Sequence, residues 1–351
     1  MDFSRHISPQ TKFFTLQHPL MLESGEVLPA PTVAFRTWGK LSASKDNAIL
    51  LCHGLTGSAD ADDWWKPLIA ENAAFNPVHD FIIATNVLGS CYGTTGPCSL
   101  NPKTQKRYQA DFPRITIRDM VALQARLLDE LGIKSLKMVV GGSLGGMQVL
   151  EWGAMFPNRV RALIPIATSG RHSAWCIGIG EAERAAIIRD PKWNNGFYDE
   201  RHPPTDGLST ARMIAMITYR TSESFTKRFG REMQDSDRFR VESYLHYQGE
   251  KLNQRFDANT YITLTKAMDT HDLGRGRASY EAALGAISHP ALVVSITSDI
   301  LYVPSEQAEL ARLMPNAELR HLESDNGHDA FLIDMIPLSD MIREFRAKYG
   351  I

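Results

Sequence analysis

Three observations predict an α/β protein: a mostly parallel sheet flanked by helices, with a helical lid inserted into it. Short continuous apolar runs such as Ala48-Ile49-Leu50-Leu51-Cys52 alternate with stretches whose apolar residues recur at helical spacing. That is the mark of strands buried on both faces and joined by right-handed helical crossovers. At Val139-Val140-Gly141-Gly142-Ser143-Leu144-Gly145-Gly146 a β-branched run meets glycines and then the helical pattern of Met147, Leu150, Trp152 and Met155, so strand, sharp turn and helix follow one another. Between about residues 170 and 289 the alternation stops and only helical patterns remain. The expected organisation is a first part of the core over 1–169, a helical lid over 170–289 and the second part of the core over 290–351.

At 351 residues the chain can bury a large core, and one core with a sizeable insertion suits that length. Its 38 Lys and Arg nearly balance 40 Asp and Glu, which argues against a nucleic-acid surface and leaves any anionic ligand to local cations. Met1-Asp2-Phe3-Ser4-Arg5-His6 carries charge at once, no signal-like apolar stretch follows, and no segment is long enough to span a bilayer. No membrane association and a cytoplasmic location are therefore expected. Cys52, Cys91, Cys98 and Cys176 show no CxxC spacing, so the expectation is reduced structural thiols, with no disulfide and no metal site.

The chain opens with alternating runs at Phe13-Phe14-Thr15-Leu16 and Val33-Ala34-Phe35-Arg36-Thr37-Trp38, split by Gly25 and Pro29, which read as antiparallel strands. The buried strand 48–52 runs into His53-Gly54-Leu55-Thr56-Gly57. Glycine there lets backbone amides turn towards a site, or makes an ordinary β-to-α turn around a packed histidine. Strand 81–86 precedes the glycine-rich stretch 88–97, which lacks the Lys-Ser/Thr of a P-loop and is read as a structured loop, not a nucleotide cradle. A helix begins at Ile117, with Met120, Val121, Leu123, Leu127, Leu128 and Leu131 at helical spacing and Gly132 as its stop. The strand 160–167 follows the elbow helix. In the long helical segment, helices are expected over 181–189, 209–219, 222–229, 239–256 and 261–268, broken by Pro191, Pro203-Pro204 and Gly274-Arg275-Gly276. Strand 291–296 then ends in Thr297-Ser298-Asp299, a helix covers 305–313, and strand 317–322 leads to Asp325-Asn326-Gly327-His328-Asp329.

Ser143 stands in G-x-S-x-G, the pattern of a nucleophile elbow, in which small neighbours let the backbone turn tightly enough to present a hydroxyl at the top of a parallel sheet. Glycine and serine would also fill an ordinary turn. A serine hydroxyl needs a general base, and the base needs an acid that holds its tautomer. Asp299 and His328 each follow a strand end, and the order Ser143, Asp299, His328 is that of α/β-hydrolases. His53 precedes the nucleophile, and His172, His202, His246 and His271 lie in or beside the helical segment, which makes them weaker candidates for the base. The residues alone lead to acyl transfer and no further: water, an amine, a thiol or an alcohol could each collect the acyl group.

Four stretches, Leu88-Gly89-Ser90-Cys91-Tyr92-Gly93-Thr94-Thr95-Gly96-Pro97, Gly141-Gly142-Ser143-Leu144-Gly145-Gly146-Met147-Gln148, Ala211-Arg212-Met213-Ile214-Ala215-Met216-Ile217-Thr218-Tyr219 and Asn326-Gly327-His328-Asp329-Ala330-Phe331-Leu332, together resemble the homoserine O-acetyltransferase family. The resemblance implies an α/β-hydrolase fold that moves an acetyl group from acetyl-CoA to the side-chain hydroxyl of L-homoserine, a step of methionine biosynthesis. It implies a ping-pong route through an acyl-serine on Ser143, with His328 as base, Asp299 orienting it, and the Leu55 and Leu144 amides as oxyanion hole. It also implies Arg212 for the acceptor's carboxylate, Asp329 for its ammonium, Tyr219 and Thr56 to complete the pocket, no permanently bound cofactor, and a homodimer. The charge pairing is sound. Read without the resemblance, Arg212 fits a solvated helix charge, Tyr219 a core aromatic, and Asp329 a cap for a helix starting near Ala330.

Family members that act on serine or use succinyl-CoA share most of these motifs. Leu144 stands where methionine is frequent, and the stretches 298–302 and 175–181 resemble fungal-type members. Two rivals lie outside the family: an esterase or thioesterase with the same triad, and a ligand-sensing α/β-hydrolase fold without catalysis.

Overall fold

The apolar runs become strands in the computed structural model, which describes residues 3–351; of the charged N-terminal start, Met1 and Asp2 lie outside the described residues. The strands are β1 (Lys12–Thr15), β2 (Leu20–Met21), β3 (Val27–Leu28), β4 (Thr32–Trp38), β5 (Ala48–Cys52), β6 (Phe81–Thr85), β7 (Met138–Gly142), β8 (Leu163–Ile166), β9 (Ala291–Ile296) and β10 (Ala317–Leu322). Eight of them form one sheet in the order β1-β4-β6-β5-β7-β8-β9-β10, while β2 and β3 pair apart as a short hairpin. The opening strands are antiparallel, as their alternation predicts, and every pairing from β6 through β10 is parallel. The α/β-hydrolase architecture expected from the sequence is the one observed.

Strand alternation splits the core in two, because successive side chains point to opposite faces. Leu50, Val139, Leu163 and Val293 pack on one face with Met120 and Leu127 of the helix Ile117–Glu130 and Met147 and Leu150 of the helix Leu144–Met155. Ile49, Leu51, Val140, Ile164 and Val294 pack on the other with Trp65, Phe75 and the final helix, through Leu338, Ile342 and Phe345. That final helix, Met335–Tyr349, ends at left-handed Gly350; it was not among the elements read from the sequence.

A wholly buried polar chain locks the elbow helix to its neighbour. Trp152 Nε1 donates to Gln124 Oε1 at 2.8 Å, Gln124 Nε2 donates to Gln148 Oε1 at 2.8 Å, and Gln148 Nε2 donates to the Leu144 carbonyl at 3.1 Å. Leaving any one of these buried groups unpaired costs about 1–3 kcal/mol, so the peptide beside Ser143 has little freedom.

Between β8 and β9 lie the helices Ala174–Ile188, Thr205–Thr218, Ser222–Phe229, Arg240–Asn253, Ala258–Asp269 and Tyr280–Gly285. The first starts well before Glu181, where the sequence pattern places it. Ser173 caps it by accepting from the Cys176 amide, while Gly178 and Gly180 had hidden the helical pattern. Among the described residues no helix is long and apolar enough to cross a membrane.

Candidate active site

Ser143 sits between β7 and its helix with φ 57° and ψ −124°, a positive φ that costs a non-glycine residue on the order of 1–3 kcal/mol. The surroundings hold it there. Its amide donates to the Ile166 carbonyl at 3.0 Å, and its own carbonyl accepts from Thr168 Oγ1 at 3.0 Å and from the Met147 amide at 3.1 Å. The flanking glycines are required by close approach: a Cβ on Gly145 would lie 2.1 Å from the Cys52 carbonyl oxygen, and one on Gly142 2.6 Å from the Phe331 ring. Gly145→Ala is therefore expected to cost about 3 kcal/mol or more, read as a melting temperature lowered by several degrees; an unchanged melt would show that β5 gives way there at no cost.

Asp299 follows the end of β9, and its carboxylate is committed on both sides. Oδ1 accepts from the Leu301 amide at 2.8 Å and the Tyr302 amide at 3.0 Å, while Oδ2 stands 2.7 Å from His328 Nδ1. A carboxylate can only accept here, so the imidazole carries its proton on Nδ1 and leaves Nε2 as the basic nitrogen. His328 is buried between the rings of Tyr302, Phe331 and Tyr219, with centroids at 5.2, 5.6 and 5.7 Å. Burial alone would pull its pKa down, but the charge and hydrogen bond of Asp299 outweigh that, Asp329 adds to them, and the pKa lies above the ordinary histidine value.

Ser143 and His328 line one cavity of about 570 Å³, together with Leu55, Thr56, Arg212, Tyr219 and Asp329. Asp299 reaches it only through His328, and Leu144 lies behind Ser143 as the first residue of the elbow helix. The amides of Leu55 and Leu144 make no hydrogen bond within the described residues, and Ser143 does not cap its own helix. Two backbone donors are thus left unpaired, one next in sequence to Ser143 and one on a residue of the cavity wall.

Arg212 and Asp329 differ from a solvated helix charge and a helix cap, while Tyr219 also packs against the hydrophobic core. Arg212 is partly buried, lies over the Tyr219 ring with its guanidinium carbon 5.5 Å from the centroid, and makes no ion pair among the described residues. Tyr219 terminates the helix Thr205–Thr218 and packs on the base. Asp329 precedes the helix Ala330–Ile333 but its side chain caps nothing. Burial pushes its carboxyl up, against the pull of Arg220, Arg212 and His328. Arg220, whose Nε is 3.4 Å from Asp329 Oδ2, was missed from the sequence, as were Tyr92 and Arg255 on the cavity wall. No spacing links them to Ser143, since each arrives from a separate loop.

The other histidines weighed as the base pair with neither Ser143 nor Asp299 among the described residues. Burial drops His53 and His271 to about 4, His172 pairs with the Tyr302 hydroxyl at 3.1 Å, and His202 and His246 are exposed. The four cysteines are unpaired, and burial pushes the Cys176 thiol up to about 12.

Residues 47–334 match the family model described as the alpha/beta hydrolase fold. A homoserine O-acetyltransferase of Nostoc punctiforme is 58% identical over 349 residues, covering 98% of each chain. Among solved structures, homoserine O-acetyltransferase from Bacillus anthracis superimposes with a TM-score of 0.90 at 26% identity, over 95% of this chain and 96% of that one. Esterase E22 superimposes with a TM-score of 0.88 at 26% identity, over 95% of this chain and 99% of its own.

Proposed function

The chain belongs to the homoserine O-acetyltransferase family of the alpha/beta hydrolase fold, and from that premise we propose that it moves an acetyl group from acetyl-CoA to the hydroxyl of L-homoserine by way of an acetyl-Ser143. The observation that carries the reading is a cavity in which a serine and a carboxylate-held histidine face a guanidinium and a carboxylate, Arg212 and Asp329. Those two charges match the carboxylate and ammonium of one amino acid.

In the first half-reaction Ser143 Oγ attacks the thioester carbonyl while His328 Nε2 takes its proton. The Leu55 and Leu144 amides stabilise the oxyanion, each contributing on the order of 3 kcal/mol. Collapse breaks the C–S bond, and His328 returns the proton to the leaving coenzyme A thiolate. In the second, Arg212 and Asp329 hold the amino acid, Thr56 and Tyr219 complete its pocket, and His328 deprotonates its hydroxyl for attack on the acetyl-serine; collapse breaks the ester bond to Ser143, and His328 returns the proton to Ser143 Oγ. Every step uses side chains and amides of this chain, with acetyl-CoA as co-substrate and no resident cofactor. The helical segment serves as a lid that excludes water and so favours transfer over hydrolysis. The product suits methionine biosynthesis in the cytoplasm, and the working form is a homodimer.

The test is thiol release from acetyl-CoA and succinyl-CoA, each with L-homoserine, L-serine or no acceptor. Release that requires homoserine and acetyl-CoA is expected. The likeness to esterase E22 favours a second reading, hydrolysis of esters or thioesters, and acceptor-independent thiol release would support that instead.

The pH dependence follows from His328. It must be neutral to act as base, and its pKa lies above the ordinary value of about 6.5, so acyl-enzyme formation should rise with pH along a limb displaced to the alkaline side of that value. Asp299→Asn removes the main raising influence and should shift the limb downwards. The linkage to folding has the opposite sense: the protonated pair contributes stability at pH below about 6.5, and this is lost as pH climbs through the raised pKa. Single-turnover rates and urea midpoints across pH 5 to 9 would check both.

A further inference from the structure

The loop 53–57, which carries the Leu55 amide, is a tight turn closed by the Gly57 amide on the Gly54 carbonyl at 3.0 Å. It is pinned from the core by His53. The imidazole Nε2 accepts from the Val87 amide at 3.1 Å, which leaves Nδ1 to donate to the Gly54 carbonyl at 2.8 Å.

The other end of the turn is held from the helical segment. Arg255, in the turn that follows the helix Arg240–Asn253, donates through Nη1 to the Thr56 carbonyl at 2.8 Å and to the Tyr92 hydroxyl at 2.8 Å, and through Nη2 to Thr56 Oγ1 at 3.3 Å. Tyr92 is buried and packs edge-on against Phe256 with centroids 5.8 Å apart. The carbonyl of Gln254 is tied in turn to Arg5 Nη2 at 3.1 Å. Arg255 makes no ion pair among the described residues, yet it lines the cavity of Ser143. A planar guanidinium on three neutral oxygens of one small region fixes geometry; a flexible ammonium could not reproduce that fork.

We infer that Arg255 is a positioning residue for the oxyanion hole: by holding Thr56 against Tyr92 it aims the neighbouring Leu55 amide at the tetrahedral intermediate, and it ties that amide to the helical segment. The inference rests on the acyl-serine reading, and it assigns a role to the glycine-rich loop 88–97 as the base on which the clamp closes. Because an oxyanion forms in both half-reactions, the clamp must serve both.

The test compares wild type, Arg255→Ala and Arg255→Lys in three single-turnover measurements: acylation by acetyl-CoA, chase of the acetyl-enzyme by L-homoserine, and acylation by p-nitrophenyl acetate. In Arg255→Ala all three rates should fall by a similar factor, on the order of 10- to 100-fold, with the half-saturating concentration of acetyl-CoA nearly unchanged. Added guanidinium ion should restore part of the rate in Arg255→Ala and none in wild type, and Arg255→Lys should remain slow. If Arg255→Ala fails to fold, the folded Arg255→Lys carries the same comparison. A loss confined to acetyl-CoA acylation, or to the chase, with p-nitrophenyl acetate reacting at the wild-type rate, would make Arg255 a ligand contact and overturn the proposal. The simple ester uses neither coenzyme A nor an amino acid. Failure of the acetyltransferase reading therefore shows in wild type, and failure of the clamp shows only in the variants.

Discussion

Asp299→Asn leaves a folded protein whose acyl-enzyme formation falls by roughly 10⁴-fold, and the hydrogen bonds around Asp299 say why. Its Oδ1 is the acceptor of two backbone amides, Leu301 and Tyr302. In the asparagine variant the amide oxygen must stay with those two donors, which forces the NH₂ group towards His328 Nδ1. A donor now faces the ring where an acceptor stood, so the neutral imidazole moves its proton to Nε2 and presents an N–H to Ser143 in place of a lone pair. Ser143→Ala and His328→Ala should lose at least as much, and the double variant little beyond the worse single one, because the three groups act as a unit. Losses that multiply in the double variant would contradict the assignment. Stoichiometric labelling of wild-type Ser143 by a serine-directed phosphonate, with none in Ser143→Ala, would also dispose of a purely ligand-sensing role.

Arg212→Lys and Asp329→Asn are expected to weaken the second half-reaction by about 2–5 kcal/mol while the acylation burst with acetyl-CoA stays near wild type. Only the incoming amino acid brings a carboxylate and an ammonium to be paired. Arg212 lies over the Tyr219 ring and makes no ion pair among the described residues, so its fork is open to a ligand, and the lysine ammonium lacks the planar fork. Asp329 is the subtler case, since Arg220 Nε already stands 3.4 Å from it. That neighbour opposes the rise in pKa that burial imposes and favours the ionised form needed to receive an ammonium. Asp329→Asn keeps the shape and removes the charge. A burst that disappears while residual acetyl-enzyme is chased normally would move both residues to the donor side or to the fold.

Much of this was legible in local pattern. Apolar runs located β5 and β9 to the residue, because burial on both faces of a parallel sheet demands such runs, and helical spacing located the helix from Ile117 up to its glycine stop; the half-exposed edge strand β10 was placed to the residue without such a run. The elbow was legible because only glycines tolerate the approach of β5 to the start of its helix. The final helix and the start at Ala174 were not: one lies beyond the last motif, the other carries glycines that mimic a break.

By itself the sequence determined the fold class and singled out Ser143, Asp299 and His328 as a candidate triad in that chain order, since each of these is written in neighbouring residues or in the succession of strand ends. The tertiary structure alone decided which oxygen of Asp299 faces the base, that Arg220 stands beside Asp329, and that Arg255 grips Thr56 across 199 residues of chain. Contacts of that kind depend on how separate loops converge over the sheet edge, and loop convergence has no period for a sequence to display.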